Sequence, residues 1–323
     1  METALAVKEE VHQFSIDWEY YLKAFIFSQQ GINSKASVRS YMYALKNFIR
    51  FMEENRIVHP SPADIYSYEG WLRSKQYSDF TKSLYLSLVQ RFFAYLESHI
   101  DLETGERVHI YPDITRAVEI KIKRPPRVPV RNSLTVRDVK RIRQYMRSLE
   151  GQKAERDLLM IELCLFNGLR DCEVARIRVE DFVQDEGRIR LYLFRKGRSS
   201  RISHDFTYVQ EKLYRNLLRY IRKYRIKKFV FTDINHKHPK TEHLTPVSIS
   251  AIISSRMKEA GVKRDNCTPH SMRHHFATAL LRKNVSVFDV QRAMGHSNLQ
   301  STLVYLHTKN LFDDNPAELT LEY

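Results

Sequence analysis

Apolar residues recur at helical spacing through the first third of the chain. Over residues 12–30 they fall at every third or fourth position, which predicts an amphipathic helix. A second stripe of this kind covers about residues 34–55, and a third helix is predicted to open at Ser61, which a proline follows. A fourth helix is predicted over about residues 78–98. Four amphipathic helices with short connections predict a compact bundle.

A different pattern marks the middle of the second half, where apolar and polar positions alternate. Over residues 188–194 the apolar side chains, among them Leu191 and Leu193, point to one face, and the residues between them point to the other. This period of two predicts a strand. Turn-forming residues at 197–200 predict a hairpin, with the return strand beginning at Arg201.

Helical spacing predicts most of the remaining second half. We expect helices from Ser133, over residues 158–166 and over about residues 208–224, then a short strand at 229–231 and a helical C-terminal part. The predicted fold class is therefore mainly α (α+β). A four-helix N-terminal domain would precede a mostly helical domain that contains a small antiparallel sheet or β-hairpin.

A basic, proline-rich segment at residues 121–133 predicts the domain boundary. Residues 121–131 hold three prolines and five cations without an apolar period, which is typical of a stiff, extended linker. The predicted domains are residues 1–120 and 134–323. The linker could lie along a phosphate backbone or be an ordinary solvated connection, and both interpretations stay open for its cations Lys123, Arg124 and Arg127.

The net charge of +15 indicates a polyanionic partner, although a merely basic protein is the alternative. The charge is unevenly placed, with a net −3 over residues 1–120, +8 over 121–150 and +10 over 151–323. An N-terminal domain that holds DNA would therefore need a basic face. The candidates lie off the apolar stripe of the second helix, where a solvated face is the alternative: Arg39, Lys46 and Arg50.

Cysteine use and hydropathy exclude several classes of protein. The three cysteines are irregularly spaced, which argues against a disulfide framework and against a zinc site. The sequence has no hydrophobic leader segment and no apolar run of membrane length. These patterns predict a cytoplasmic protein, associated with the nucleoid if its partner is DNA, with neither a metal nor another cofactor.

Candidate chemistry is concentrated in the second half of the chain. Arg170 and Arg273 carry guanidinium groups, which bind phosphate oxygens as forks. Lys196 follows the predicted strand at a hairpin tip, where a cationic neighbourhood would lower its pKa and make it a usable acid. His296 follows a glycine, and Tyr305 comes nine residues later. A tyrosine that attacks must lose its proton, at a cost of roughly 4 kcal/mol at pH 7, so it needs a basic neighbour or nearby cations.

Helical spacing groups further side chains with Arg273. His270, Arg273 and His274 fall at i, i+3 and i+4, so one helix face presents all three, with Thr268 as the predicted N-cap. Glu173, three residues after Arg170, can support its guanidinium. Each group taken alone is more typical of an ordinary surface helix, a salt bridge or a solvated turn. The ordered combination is what indicates a phosphodiester-cleaving site.

The order and spacing of these motifs resemble the catalytic domain of the tyrosine recombinase (phage integrase) family. The resemblance covers about residues 134–310, and the first 120 residues resemble the helical, SAM-like core-binding domain that accompanies it. It implies that Arg170 and Arg273 bind the scissile phosphate, and that Tyr305 forms a 3′-phosphotyrosine link. The remaining implied roles are proton donation to the 5′ oxygen by Lys196, assistance to the nucleophile by His270, a hydrogen bond to phosphate from His296, and support from Glu173 and His274.

The chain departs from the family pattern in two places. The first motif reads Asn167-Gly-Leu-Arg-Asp-Cys-Glu173, where the family commonly has a threonine first and a small residue and serine before the glutamate. The hairpin commonly has glycine before its lysine, and here that position is Arg195. With Arg195, the hairpin cations Arg198 and Arg201 could hold DNA phosphates.

The resemblance also implies partners and assembly. The expected partner is a double-stranded recombination site, held by a homo-oligomer, a tetramer on two DNA sites, or by this chain with an Xer-like partner recombinase. The segment after Asn310 could bridge protomers or pack on its own subunit. Two alternatives to site-specific strand exchange stay open, namely a catalytically idle DNA-binding regulator of the same fold and a type IB-like DNA-relaxing enzyme.

Overall fold

The computed structural model describes residues 16–30, 32–33, 35–100, 104–119, 133–195, 205–234, 242–264 and 267–306. These residues fall into two compact units, one on each side of the predicted linker. The linker cations Lys123, Arg124 and Arg127 lie outside the described residues. None of the helices in the described ranges is long and apolar enough to cross a membrane.

The first unit is the predicted helical bundle. Its described helices are α1 (Trp18–Gln30), α2 (Lys35–Glu54), α3 (Pro62–Ser74) and α4 (Asp79–Glu97). Two short strands, β1 (His99–Ile100) and β2 (Arg107–Val108), form an antiparallel pair that the sequence did not predict, and a 3-10 turn at Ile114–Ala117 follows.

Local capping explains where α3 and α4 begin. The Ser61 backbone N–H donates to Asp64 Oδ2 at 2.7 Å, which closes a capping box. At α4 the Ser78 hydroxyl accepts from the Thr81 N–H at 3.2 Å. Both signals are readable in the sequence, so both helix starts agree closely with the prediction.

The bundle core is aromatic. Phe48 is fully buried and makes edge-to-face contacts with Tyr68 and Phe93, at centroid distances of 5.0 and 5.8 Å. On the same helix Arg39, Lys46 and Arg50 are exposed. The exposure of the three cations agrees with either interpretation of this face, so their contact with DNA stays a prediction.

The second unit is mostly helical, as predicted. Its described helices are α5 (Val136–Ser148), α6 (Gln152–Phe166), α7 (Asp171–Val174), α8 (Glu211–Lys223), α9 (Pro246–Glu259), α10 (His270–Arg282), α11 (Val287–Met294) and α12 (Gln300–Leu303). Helix α6 lies at the centre and packs against α5, α8, α9 and α10. Ten of its fifteen residues are buried, so α6 is the scaffold on which the other elements are placed.

A three-stranded antiparallel sheet covers one side of this unit. It has the order β3 (Phe182–Asp185), β4 (Arg188–Tyr192), β5 (Phe206–Val209). The alternation predicted for β4 is confirmed, because Leu191 and Leu193 are buried and Tyr192 is only partly so. Of the predicted hairpin, residues 196–204 lie outside the described residues.

Two sequence predictions are wrong in this region. The helix predicted from about residue 208 begins at Glu211, because Phe206–Val209 pairs with β4. The short strand predicted at 229–231 is reduced to a single bridge between Phe229 and Arg178. Pairing with residues distant in sequence decides both cases: it is present at Phe206–Val209 and limited to one bridge at Phe229, and a local pattern reports neither.

Candidate active site

A buried carboxylate, that of Glu173, lies at the centre of the site. Arg170 is the N-cap of α7, and its backbone N–H donates to Glu173 Oε2 at 2.9 Å. Its Nη1 donates to Glu173 Oε1, also at 2.9 Å. The Glu173 side chain is 0% exposed, whereas that of Arg170 is 21% exposed. The buried carboxylate therefore fixes the Arg170 guanidinium through Nη1, and part of the Arg170 side chain stays accessible.

Arg273 supplies a second guanidinium, which is more deeply buried. Its residue exposure is 1%, and its Nη1 lies 3.8 Å from Glu173 Oε2. Its two terminal nitrogens donate to the carbonyls of Gly168, two residues after the end of α6, and of Met294, the last residue of α11. Burial and the nearby charge of Arg170 lower the pKa of Arg273 to about 10, so the group is still cationic at neutral pH.

Two glycines make these contacts sterically feasible. Gly168 has φ +61°, and a Cβ there would lie 2.4 Å from Phe276 Cδ1. Gly295 has φ +57°, and a Cβ there would lie 2.5 Å from Arg195 Cζ. Both backbones use the left-handed region, which glycine adopts without strain. The Gly168 carbonyl accepts from Arg273, and the Gly295 carbonyl accepts from Arg170 Nη2 at 3.4 Å.

His296 is held beside this cationic group as a neutral imidazole. Its pKa is lowered to about 3, first by burial and then by the charges of Arg273, Arg170 and Arg195. The ring therefore carries one N–H at neutral pH. Thr302 Oγ1 lies 2.8 Å from His296 Nδ1. When that hydroxyl donates, the ring proton is on Nε2, which is then a hydrogen-bond donor for an anion.

The sequence did not predict a role for Thr302, and the importance of its contact with His296 can be tested. Thr302 is 0% exposed, so Thr302→Val would leave the imidazole without its partner in a buried place. We expect the free energy of unfolding, measured by urea denaturation, to fall by about 1–2 kcal/mol. Thr302→Ser, which keeps the hydroxyl, should stay closer to the native value. Equal stability of the valine variant and the native chain would contradict this role.

Tyr305 lies in a small apolar cluster between α10 and α11 and is 3% exposed. Burial raises the pKa of its phenol, while the charges of Arg273 and Arg170 act in the opposite direction. The phenol is therefore within electrostatic reach of both guanidinium groups. Its ring is nearly parallel to that of His296, with centroids 6.3 Å apart.

The two histidines of α10 extend the site beyond Tyr305. The ring of His274 lies 5.1 Å from that of Tyr305, and the ring of His270 lies 4.9 Å from that of His274. Helical spacing therefore places both imidazoles as predicted, with His274 next to the phenol. The predicted N-cap is wrong. Thr268 makes no capping bond through its hydroxyl to any described residue, and instead Ser271 Oγ accepts from the Thr268 N–H at 3.0 Å.

Arg195 is more buried than its grouping with the hairpin cations suggested, and its contact with a DNA phosphate stays a prediction. The sequence groups it with the hairpin cations Arg198 and Arg201, but its residue exposure is only 7% and its Nη1 donates to Glu173 Oε1 at 3.3 Å. A signal for burial is present, because the alternation that buries Leu191 and Leu193 also turns position 195 inward. The other hairpin residues, Lys196, Arg198 and Arg201, lie outside the described residues.

A cleft of about 980 Å³ lies beside part of this group of residues. Its wall includes the side chains of Arg170, Arg195 and His296, together with Tyr208 and Arg292. Within the described ranges, no three His, Cys, Asp or Glu side chains are grouped so that they could hold a metal ion. The arginines Arg170, Arg195 and Arg292 line the cleft, and guanidinium groups are suited to bind anions.

Comparison with known families identifies this arrangement. Residues 132–311 match the phage integrase family, and residues 21–99 match the SAM-like N-terminal domain of phage integrases. The chain belongs to the phage integrase family. Residues 16–119 and 133–306 of the described chain thus contain the two domain types that the sequence predicted.

Similar proteins carry the name tyrosine recombinase. The chain is 26% identical to tyrosine recombinase XerA of Pyrococcus furiosus over 84% of this chain and 83% of that protein. It is 26% identical to XerD of Vibrio cholerae over 90% of both chains.

Solved structures of recombinases on DNA share the fold. XerH bound to its difH substrate aligns with a TM-score of 0.67 at 19% identity, over 93% of this chain and 83% of that one. A lambda integrase dimer bound to a COC′ core site aligns with a TM-score of 0.66 at 16% identity, over 92% of this chain and 98% of that one. The mainly α fold with small antiparallel sheets is therefore confirmed.

Proposed function

We propose that the chain is a site-specific DNA recombinase that cleaves and rejoins strands through a 3′-phosphotyrosine intermediate. One observation carries the proposal. Two guanidinium groups, those of Arg170 and Arg273, are fixed on one buried carboxylate within electrostatic reach of the Tyr305 phenol. Membership of the phage integrase family and the tyrosine recombinase relatives support the same reaction.

In the proposed chemistry, the scissile phosphate binds to Arg170 and Arg273, which neutralise the charge that gathers on its non-bridging oxygens. His296 donates a hydrogen bond to one of these oxygens from its neutral ring. Because the ring does not titrate near neutral pH, it keeps this single N–H over the working range. Glu173 holds both arginines in position without contacting DNA.

The Tyr305 oxygen attacks phosphorus, and the bond from phosphorus to the 5′ oxygen breaks. The phenol proton passes to the histidine pair of α10, with His270 as the proposed acceptor and His274 as the ring that lies between. Lys196, outside the described residues, is the proposed donor of a proton to the leaving 5′ oxygen. The phosphotyrosine keeps the energy of the diester, so a 5′ hydroxyl can reverse the step without nucleotide hydrolysis.

Recombination needs two DNA sites and more than one protomer. We propose that double-stranded DNA is the partner and that protomers assemble as a tetramer on two sites, or with an Xer-like partner recombinase, at the nucleoid in the cytoplasm. The similar structures solved on DNA, an integrase dimer on a core site among them, support DNA-bound oligomers. Resolution of chromosome dimers and integration or excision of a mobile element are both compatible with this chemistry.

Capture of covalent adducts from fragmented genomic DNA tests the proposal and identifies the target sequence in the same experiment. Native protein is incubated with DNA fragments from the organism that encodes it, denatured in detergent, and isolated with the DNA that stays attached. We expect the attached DNA to share one inverted repeat, and the attached peptide, read by mass spectrometry, to contain Tyr305. Adducts spread over unrelated sequences would favour a relaxing enzyme, and no adduct at all would favour an idle regulator.

A further inference from the structure

Arg195 stands where the family pattern commonly has glycine, and its surroundings are unusual for a residue at the end of a strand. Its guanidinium is almost fully buried, and it shares Glu173 Oε1 with Arg170. The other carboxylate oxygen of Glu173 lies 3.8 Å from Arg273. Three guanidinium groups therefore surround one carboxylate.

The position of Arg195 is fixed on two further sides. Its Nε lies 3.9 Å from Asp205 Oδ1, on the far side of the hairpin. Its Cζ lies against the Gly295 backbone, where even a Cβ would come within 2.5 Å. Gly295 is the residue whose carbonyl accepts from Arg170, and it immediately precedes His296. Arg195 thus contacts both Glu173 and Gly295, two residues that hold the Arg170 guanidinium, and Gly295 is also the neighbour of His296.

The local charge favours a role for Arg195 in binding an anion. Three guanidinium groups face Glu173, and Asp205 adds one carboxylate beside Arg195, so cations outnumber these two acids. The side chains of Arg195 and Arg273 are almost fully buried, and that of Arg170 is partly exposed. Burial of uncompensated charge is costly unless a ligand supplies the counter-charge. No described residue accepts a hydrogen bond from Arg195 Nε, and Arg195 lines the cleft together with Arg170 and His296.

We propose that Arg195 is a positioning residue of the phosphate site. It holds the Glu173 carboxylate and the Gly295 backbone so that Arg170 presents its guanidinium to the scissile phosphate, and its fixed positive charge favours the entering anion. The proposal rests on the function proposed above. It predicts that Arg195 acts on the charge of the scissile phosphate, whereas a purely structural tether would not.

The test compares two substrates in single-turnover cleavage. One is a nicked duplex that carries the captured site, and the other has an uncharged methylphosphonate at the scissile position. On the natural duplex, we expect Arg195→Met to cleave about 10–100-fold more slowly than native protein. Arg195→Lys, which keeps the charge but loses the planar fork, should lie between the two. On the methylphosphonate, the gap between native and Arg195→Met should shrink to about threefold, because the charge that Arg195 acts on is gone.

Controls separate the outcomes. Arg215→Met removes a 70% exposed arginine of the same unit and should cleave like the native chain. If Arg195→Met melts below the assay temperature, Arg195→Gln replaces it, since the amide keeps a donor for Glu173 without charge. Native rates for the neutral variant, or an equal loss on both substrates, would overturn the inference. Failure of the native protein to cleave the natural duplex would instead count against the proposed function.

Discussion

Tyr305→Phe protein will bind its DNA site with native affinity and form no covalent complex. The substitution removes only the phenol oxygen, so the phenyl ring still fills the apolar cluster between α10 and α11. We expect cleavage of a nicked duplex to fall below roughly one ten-thousandth of the native rate, as is typical when a nucleophile is removed. Denaturing electrophoresis of the end-labelled duplex measures the covalent band.

Tyr224→Phe is the matched control for this experiment. It also deletes one phenol oxygen from the second unit. In the native chain that hydroxyl donates a hydrogen bond to Glu155 Oε1 at 2.9 Å, and Glu155 is not one of the site residues described above. The control should give a covalent band of native intensity. A covalent band that persists in Tyr305→Phe would mean that another residue is the nucleophile.

Helices of the first unit were predictable because their signals are local. The predicted helices over about residues 34–55 and 78–98 correspond to Lys35–Glu54 and Asp79–Glu97. Spacing of apolar residues reports burial within one element, and capping serines mark where an element begins. The sheet of the second unit was harder to place, because β5 exists only through its pairing with β4.

The candidate site divides in the same way. Arg170 and Glu173 are three residues apart at a helix start, so their ion pair could be read from the sequence. The contacts of Arg273 with the carbonyls of Gly168 and Met294 join residues 105 and 21 positions away, which no local pattern reports. Arg195 lies between these cases, since strand alternation indicated its inward direction but not the carboxylate that it meets.

The second large effect concerns the carboxylate itself. Glu173→Gln should lower the free energy of unfolding by about 3–5 kcal/mol, because it leaves buried guanidinium groups without a counter-charge. The native carboxylate accepts from Arg170 Nη1 at 2.9 Å and from Arg195 Nη1 at 3.3 Å. The other oxygen accepts from the Arg170 backbone N–H at 2.9 Å and lies 3.8 Å from Arg273 Nη1, so the NH2 group of a glutamine would face donors in either orientation. Urea denaturation of the native and variant chains measures the difference.

An anion should partly reverse this loss. If the three guanidinium groups form a phosphate site, DNA that carries the captured sequence supplies negative charge where Glu173→Gln lacks it. The duplex should therefore raise the melting temperature of the variant more than that of the native protein. Glu211→Gln, which changes a 70% exposed carboxylate of α8, should match the native chain with and without DNA. If Glu173→Gln is as stable as the native protein, the buried carboxylate does not hold the arginines together. If DNA stabilises this variant no more than it stabilises the native chain, the three guanidinium groups do not bind the phosphate.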